Sequence, residues 1–371
     1  MALKPLFDRA EFRIQDGIAH VCAAGETPFL KRHDAALLRY ASDKSLGMGG
    51  RAAQEAQVVQ ARELIAQSWG VSFGDIGFVG SVADGVSLVV ESLDWRDGDN
   101  AVFDADEYPS VVAPIALRPH AELRFAKGTA RNRLAGLVDA RTRMIGVSYV
   151  SFLTGERADL SALRQLADSV GAWLVVDFTQ ASGYLPIEAG LADFAFSACY
   201  KWLLGATGVA VGYWNRAARP DWSPVTAGWH SLASHGRPDY GGRLELVPDA
   251  MRMTRGNPAH ASLYVLVSAL EYLRQFDVRA VQTHVEALTT DLLSRLGQLQ
   301  IVSTTPGDPG RRGGNVCIEH PRAQAMVDAL AERGVWAWNG RGRIRFSFHG
   351  YNGGDDVDRI VTSLRDIYWA I

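Results

Sequence analysis

Short apolar segments alternate with segments of helical period along most of this 371-residue chain, and this alternation constrains its fold more than any other feature. It is typical of a mostly parallel β-sheet covered by helices, so the sequence predicts the α/β class. Strands are predicted at residues 77–79, 100–103, 122–125, 144–149, 173–177, 193–197 and 209–214. Helices are predicted at residues 82–93, 110–117 and 160–170.

The pattern changes near Pro258. A long helical segment is predicted over residues 261–296, with a break near 276–278. It is followed by predicted strands at 299–302, 315–319, 335–338 and 343–348, a helix at 323–333 and a final helix from residue 355. We therefore expect a large domain over residues 1–257 and a smaller C-terminal α+β domain over residues 258–371, with an N-terminal segment that packs on the small domain.

Charge and cysteine content exclude several classes of protein. The net charge of −3 and a pI near 6.3 provide no general attraction to nucleic acid or to an anionic membrane. The three cysteines, Cys22, Cys199 and Cys317, are too few and too widely spaced for a disulfide framework or a zinc ribbon. The sequence shows neither a secretory signal nor an apolar run of membrane-spanning length. We therefore expect a soluble, cytoplasmic protein.

Two residues in the stretch 174–208, LVVDFTQASGYLPIEAGLADFAFSACYKWLLGATG, point to a particular chemistry. Asp177 ends a strand predicted to be buried, where a carboxylate needs a partner. Lys201 follows the next strand and lies beside aromatic residues, a setting that lowers the pKa of an amine. A lysine that forms a Schiff base and an aspartate that keeps a pyridine nitrogen protonated suit pyridoxal 5′-phosphate (PLP). An ordinary ion pair between the two residues is the alternative.

Five stretches occur in the order and spacing of one enzyme family: ESLDWRDGDNAVFDADEYPS (91–110), VSYVSFLTGE (147–156), VVDFTQA (175–181), DFAFSACYKWLLGATG (193–208) and RIRFSFHGYNGGDDVDRI (343–360). Through them the chain resembles, over nearly its whole length, the aminotransferase class V family of PLP enzymes. That family includes cysteine desulfurases, kynureninases, epimerase-like proteins and some transaminases. The resemblance implies a PLP-transferase of fold type I, whose large domain has a mostly parallel seven-stranded sheet.

The resemblance implies roles for four residues at the PLP ring. Lys201 is similar to the Schiff-base lysine, and Asp177 to the partner of the pyridine nitrogen. Gln180 occupies the position that contacts the ring hydroxyl oxygen. Tyr108 stands where the family has an aromatic or histidine ring stacked on the cofactor.

The phosphate of PLP requires hydrogen-bond donors, preferably backbone amides at a helix N-terminus. Ser81 and Val82 come between a short predicted strand and a predicted helix, and Ser197 and Tyr200 add hydroxyl groups. The Trp229 segment (GWH) resembles the kynureninase-like branch, in which an indole nitrogen donates to the phosphate, and the Tyr–Lys pair at 200–201 resembles it too.

Two further positions complete what the resemblance implies. Asn257 matches a phosphate contact that the partner subunit gives in the family, which implies a homodimer with shared active sites. Arg345 is similar to the arginine that binds the substrate α-carboxylate through bidentate hydrogen bonds. Arg343 is the alternative, because residues two apart on a strand face the same side.

The residues at the positions that bind substrate differ from those of the cysteine desulfurase and kynureninase branches of the family. Segment 335–343 has no cysteine, which argues against desulfuration through a persulfide. Phe152 replaces an asparagine that many family members direct at the ring oxygen, and Gln180 replaces a histidine, which argues against kynurenine hydrolysis itself.

The resemblance therefore implies an enzyme that acts on an α-amino acid through an external aldimine and a Cα carbanion, with no metal. We favour transamination. The alternatives are a kynureninase-like C–C or C–S lyase, an amino-acid epimerase and, more remotely, a PLP-binding protein without turnover. A nicotinamide dehydrogenase lacks support, because no GxGxxG motif follows a strand.

Overall fold

The computed structural model describes residues 3–129, 131–234, 240–242 and 244–371. Within them the strands are β1 (Ala19–His20), β2 (Ile76–Val79), β3 (Asp99–Asp104), β4 (Ala121–Ala126), β5 (Thr142–Ser148), β6 (Trp173–Asp177), β7 (Phe194–Ala198), β8 (Ala210–Trp214), β9 (Asn315–Glu319), β10 (Val335–Trp336), β11 (Trp338–Gly340) and β12 (Arg343–Ser347). The α-helices are α1 (His33–Ser45), α2 (Arg51–Trp69), α3 (Val82–Glu91), α4 (Pro109–Ala116), α5 (Arg131–Ala135), α6 (Leu160–Val170), α7 (His260–Leu273), α8 (Val278–Gln298), α9 (Ala323–Glu332) and α10 (Gly354–Ile367).

Seven strands form the central sheet, in the order β2-β8-β7-β6-β5-β3-β4. Strands β3 to β7 pair in parallel, whereas β8 runs antiparallel to both β7 and β2. The sheet is therefore mostly parallel, which confirms the predicted α/β class. Ser148 and Asp177 pair at the carboxyl ends of β5 and β6, the edge where an open parallel sheet gathers its ligand groups.

Local signals set the ends of the helices that flank this sheet. Helix α3 begins after Ser81, whose hydroxyl oxygen accepts a hydrogen bond from the backbone N–H of Asp84. Helix α6 begins after Asp159, which accepts from the N–H of Ala162, and it ends at Gly171, which has a φ of +72°. The side-chain oxygens satisfy N–H groups that lack a partner within the helix, and glycine adopts the left-handed conformation without a Cβ clash.

The C-terminal part of the chain has its own small sheet and core. Strands β11, β12 and β9 form an antiparallel sheet against which α9 packs, and α10 lies beside α8 and α9. The core of this part contains Ile318, Met326 and Ile344, and it also contains Ala19 and Val21 from the N-terminal segment. Strand β1 pairs in parallel with β10, so the N-terminal segment packs on this part of the molecule.

Helix α8 contributes to both hydrophobic cores. Its first half places Val281 and Val285 in the core of the large sheet, and its second half places Leu288 and Leu292 in the smaller core. The division of the chain at residue 257 stays a prediction, and the packing adds that the two cores meet along this helix.

The structure differs from the predicted elements in several places. Residues 299–302 are not a strand, because Leu299 caps α8 and Gln300 turns the chain at a φ of +59°. The predicted strand 335–338 is two strands, since Val335–Trp336 pairs with β1 and Trp338–Gly340 pairs with β12. Helices α1 and α2 were not predicted.

Across the described residues, the structure contains no helix with the length and apolarity needed to cross a membrane.

Candidate active site

A cavity of about 250 Å³ opens at the carboxyl edge of the central sheet. The ends of β5 and β6, the segments after β7 and before β8, and the starts of α3 and α4 surround it. Its walls contain most of the residues that the sequence predicts for PLP, together with polar residues it did not single out. They include Ser81, Val82, Tyr108, Ser148, Phe152, Asp177, Thr179, Gln180, Tyr200, Lys201 and Thr207.

Lys201 lies between aromatic rings in the wall of this cavity. Its side chain is buried, and its Nζ lies 5.3 Å from the centre of the Tyr108 ring and 5.5 Å from that of Tyr200. Burial lowers the pKa of Lys201 to about 8, and the nearby charge of Arg345 acts in the same direction. The hydroxyl of Thr27 donates to the backbone oxygen of Lys201 at 3.0 Å, which ties the N-terminal segment to this position.

Asp177 ends β6 and is buried in the same wall. Its Oδ1 accepts a hydrogen bond from the backbone N–H of Thr179 at 2.8 Å. Within the described part of the chain, neither an arginine nor a lysine forms an ion pair with this carboxyl, so Asp177 and Lys201 are not the ordinary ion pair weighed above. Burial raises the pKa of Asp177, and the hydrogen bonds of Thr179 and the charge of Lys201 oppose that change.

Gln180 is held in one orientation by two hydrogen bonds. Its Nε2 donates to the backbone oxygen of Ala24 at 2.9 Å, and its Oε1 accepts from Nε1 of Trp202 at 3.0 Å. The amide therefore enters the cavity wall with a fixed direction, which suits recognition of a ring oxygen.

Tyr108 is the N-cap residue of α4 and lies across the cavity from β6. Its ring meets Phe152 edge to face, with 5.0 Å between the ring centres. The carboxyl of the preceding residue, Glu107, accepts a hydrogen bond from the N–H of Tyr108 at 2.7 Å. Sequence reasoning missed Glu107, and it also missed Thr179 and Thr207. The polar residues of the 174–208 stretch were the available signal for the two threonines.

The start of α3 forms a polar part of the cavity wall. Ser81, Val82 and Thr207 line this cavity wall. The first N–H groups of a helix have no partner within the helix, so they are available to an anion. Ser197 is different: it is fully buried within β7 and is not part of the cavity wall.

Trp229 and Asn257 lie outside this cavity. Trp229 begins a short 3-10 helix and is about half exposed. Asn257 lines a neighbouring cavity that shares Gly80 and Gly208 with the first, and its Oδ1 accepts from Nη1 of Arg51 at 3.1 Å. Their predicted contacts with the phosphate stay predictions.

Arg345 lies on β12 of the small sheet, outside the cavity wall, and contacts Phe152, which is part of that wall. Its side chain is 2% exposed; its Nη1 donates to the backbone oxygen of Phe152 at 2.8 Å, and its guanidinium lies 4.2 Å from the centre of the Trp338 ring. Its Nε is buried and has no hydrogen-bond partner among the residues that the structure describes, and burial lowers the pKa of Arg345. Arg343 instead forms an ion pair with Glu319 at 3.3 Å.

The cysteines are not poised as nucleophiles. Burial raises the pKa of Cys22 to about 11, of Cys199 to about 12 and of Cys317 to about 11. A thiol must lose its proton to attack, so none of the three suits persulfide chemistry near neutral pH.

The chemical groups of the cavity fit PLP. Lys201 offers a buried amine for the aldehyde, and Asp177 offers a buried carboxyl for the pyridine nitrogen. The ring of Tyr108 and the N-terminus of α3 offer a stacking surface and phosphate donors. A buried acid, a buried amine and a helix N-terminus in one cavity are groups that PLP requires.

The chain belongs to the aminotransferase class-V family, whose sequence model matches residues 27–360. Members of this family are PLP-dependent enzymes, so the chain is a PLP-dependent enzyme of this family. This result confirms the resemblance stated from the sequence.

Relatives in the family carry different activities. An uncharacterized aminotransferase, YcbU, of Bacillus subtilis (strain 168) is 24% identical, over 82% of this chain and 82% of its own length. A kynureninase of Pseudomonas fluorescens is 29% identical, over 53% of this chain and 49% of its own length. The structure of a cysteine desulfurase from Thermococcus onnurineus NA1 superposes with a TM-score of 0.87 at 19% identity, covering 98% of each chain, and shows that the fold is shared.

The pKa of Lys201 predicts how capture of PLP by the apo-protein depends on pH. Only the neutral amine attacks an aldehyde, and with a pKa lowered to about 8 its fraction rises as the pH rises toward 8. We expect the capture rate to increase about tenfold per pH unit below that value and to level off above it. Stopped-flow absorbance after mixing with PLP measures this rate. A midpoint near 10, the range of an ordinary lysine, would contradict the expectation.

Proposed function

We propose that this enzyme acts on an α-amino acid whose carboxylate is bound by Arg345 and whose Cα proton is removed by Lys201. The state of Arg345 is the observation that carries the proposal. In the described structure its buried guanidinium contacts a carbonyl oxygen and an indole ring, but no carboxylate. A buried cation without an anion is costly, and a substrate carboxylate supplies that anion with matching geometry.

The residues around the site support removal of the Cα proton. When bound, PLP withdraws the electron pair that is left at Cα. Lys201 has a pKa of about 8, so its neutral amine is available as a base near neutral pH. Arg345 fixes the carboxylate and thereby the direction of the bonds at Cα. The rings of Phe152 and Trp338, which pack edge to face 6.3 Å apart, shield Arg345 from water.

We assign the residues that hold PLP as the resemblance implies. Lys201 binds the aldehyde, Asp177 faces the pyridine nitrogen and Gln180 faces the ring hydroxyl. Tyr108 stacks on the ring, and the amides of Ser81 and Val82 bind the phosphate. These assignments are supported by the shared cavity wall. We also assign a hydroxyl contact with the phosphate to Tyr200, which lines the same wall, whereas the proposed contributions of Ser197, Trp229 and Asn257 require contacts beyond that wall.

Of the possible reactions, we propose loss of a group from the substrate side chain, that is, a lyase. The similarity to a kynureninase over about half the chain supports this choice. Glu26 supports it as well: its carboxyl lies close enough to Lys201 for their charges to interact, and partial burial raises its pKa. A carboxyl that keeps its proton to higher pH is a suitable acid for a leaving group.

Transamination is the second candidate and the reaction that the sequence favoured. It is supported by the similarity to an uncharacterized aminotransferase over 82% of this chain. In this case Lys201 would move the proton it takes from Cα to the cofactor, and no acid for a leaving group would be needed.

A panel of amino acids separates the two reactions. The holoenzyme is mixed with each amino acid, the absorbance is followed and the products are identified by mass. Release of a side-chain fragment together with alanine or pyruvate supports the lyase, whereas an oxo acid that keeps the whole side chain, formed in stoichiometric amount with pyridoxamine phosphate, supports transamination. A panel that produces no spectral change and no product contradicts both.

We also propose a cytoplasmic homodimer in which each subunit contributes to the other's phosphate site. The family resemblance supports this arrangement, since the partner subunit gives the contact that Asn257 matches, and Asn257 lies outside the cavity wall of its own subunit. Sedimentation equilibrium tests it, and a monomer at micromolar concentration with full PLP binding would contradict it.

Replacement of Arg345 by methionine removes the proposed carboxylate contact and keeps a side chain of similar length. We expect kcat/KM for any accepted amino acid to fall roughly 100-fold, since hydrogen bonds to charged groups contribute about 1.5–3 kcal/mol each. Steady-state kinetics measures this change. The loss should be much smaller for the corresponding amine without a carboxylate.

The matched control is Arg343→Met, on the same strand and two residues away. Arg343 forms an ion pair with the exposed Glu319, so its replacement should change kcat/KM by less than about threefold. If Arg343→Met has the larger effect, the assignment of the carboxylate contact to Arg345 is wrong.

A further inference from the structure

Glu107 is a buried carboxyl group beneath the cofactor site that the proposed reaction does not use. It is 8% exposed and immediately precedes Tyr108, whose ring lies over Lys201. Burial of a carboxylate away from a cation is unfavourable, so the position requires an explanation.

Three hydrogen bonds tie this carboxyl to two walls of the cavity. Its Oε1 accepts from the N–H of Tyr108 at 2.7 Å and from the hydroxyl of Ser148 at 2.5 Å. Its Oε2 accepts from the N–H of Ser148 at 2.8 Å. Ser148 ends β5 and pairs with Asp177 at the end of β6. Glu107 therefore joins the residue proposed to stack on PLP to the strand end beside the proposed partner of the pyridine nitrogen.

The charges around Glu107 do not favour its ionised form. Asp177, which is also negative, is a charged group that acts on it. Burial, together with a smaller contribution from Asp177, raises the pKa of Glu107 to about 7, although the hydrogen bonds from Ser148 and Tyr108 act to lower it. Both protonation states are therefore accessible near neutral pH.

The hydroxyl of Ser148 allows Glu107 to change its protonation state without moving. It donates to the carboxylate, and after rotation it accepts from the carboxylic acid. The two backbone N–H groups can only donate. Ser148 also lines the cavity, so the orientation of its hydroxyl affects the polarity of the cavity wall.

We propose that Glu107 is a positioning residue that holds the Tyr108 ring against PLP and couples its own protonation, through Ser148, to the state of the bound cofactor. The proposal rests on the placement of PLP between Tyr108, Asp177 and Lys201. It does not depend on which reaction follows.

The test uses the holoenzyme without substrate. Glu107→Gln removes the negative charge. Each oxygen of the Glu107 carboxyl accepts from a backbone N–H, so the NH₂ group of the glutamine must face one of these N–H groups, and two donors then meet. We expect the wild-type absorbance and visible circular dichroism of bound PLP to change in a step near pH 7, and we expect that step to be absent in Glu107→Gln. The dichroism amplitude should also fall about twofold or more, since the ring loses its fixed stacking partner.

Asp99→Asn is the matched control, because Asp99 is a buried carboxyl at the opposite end of the strand that leads to Glu107. It should keep the step and the dichroism of the wild type. Titration curves of Glu107→Gln and wild type that superimpose would overturn the proposal.

Ser148→Ala provides a second route if Glu107→Gln does not fold. It keeps the carboxyl and removes its reversible partner, so the midpoint of the step should move by about one pH unit. An unchanged midpoint in Ser148→Ala would also overturn the coupling. Since no substrate is present, a failure to find turnover with any amino acid affects the proposed reaction and leaves this result standing.

Discussion

The Lys201→Ala variant is expected to lose PLP on dialysis and with it the visible absorbance band near roughly 420 nm. The amine that holds the aldehyde and the base proposed for the Cα proton are the same Nζ atom, so both functions disappear together. Turnover should fall by roughly a thousandfold or more, the upper part of the range for loss of a general base. Absorbance after dialysis and steady-state kinetics with the accepted amino acid measure the two effects.

Lys127→Ala is the control, because Lys127 is exposed and lies at the end of β4, outside the cavity wall. It should retain the band and the activity. A small primary amine added to Lys201→Ala should restore part of the turnover if Nζ acts as a base. A band that survives dialysis in Lys201→Ala would contradict the assignment.

The sequence was sufficient to predict the elements whose ends carry strong local signals. The predicted bounds of β6 and α6 match the structure to the residue. In α6 an aspartate cap and a terminal glycine set both ends, and β6 is a continuous apolar run that ends in Asp177. Residues 299–302 had the apolar pattern of a strand but lack a partner strand in the described structure, because Gln300 takes a left-handed turn. Strand pairing is a tertiary property that the local pattern does not contain.

The candidate site shows the same division. Lys201 and Asp177 were predicted because a lysine and an aspartate at successive strand ends are the residue types that bind the aldehyde and the pyridine nitrogen of PLP. Glu107 was not, because its function depends on Ser148, which is 41 residues away in the chain. The choice between Arg343 and Arg345 could not be made from alternation, and the structure supports Arg345 through its burial and its contact with Phe152.

Replacement of Asp177 by asparagine is expected to have opposite effects on activity and on stability. Asparagine keeps an oxygen that can accept from the N–H of Thr179, so the fold at the end of β6 is retained. It cannot hold a positive charge on the pyridine nitrogen, so PLP should withdraw electrons less effectively. Turnover and the exchange of the Cα proton with solvent, followed by proton NMR, should each fall by roughly 100-fold or more.

The apo-protein should respond in the opposite direction. Burial raises the pKa of Asp177 above its unfolded value, so the folded state binds the proton more tightly than the unfolded state does. The free-energy cost of burying the charged carboxylate is therefore absent at low pH. It grows as the pH rises through the pKa of Asp177 in the unfolded state toward its higher pKa in the folded state. Asparagine removes that cost, so the apo-variant should have an equal or higher Tm than wild type at pH 7, with less dependence of Tm on pH.

Asp99→Asn serves again as the control. That carboxyl accepts from the N–H of Arg96 and lies 3.9 Å from the guanidinium of Arg143, so its loss should lower the Tm and leave Cα exchange unchanged. A variant of Asp177 that is both active and less stable than wild type would show that the carboxyl supports the fold and not the cofactor. Lower activity together with an equal or higher Tm is expected only if the protein tolerates a buried, unpaired acid for the sake of the chemistry it performs on PLP.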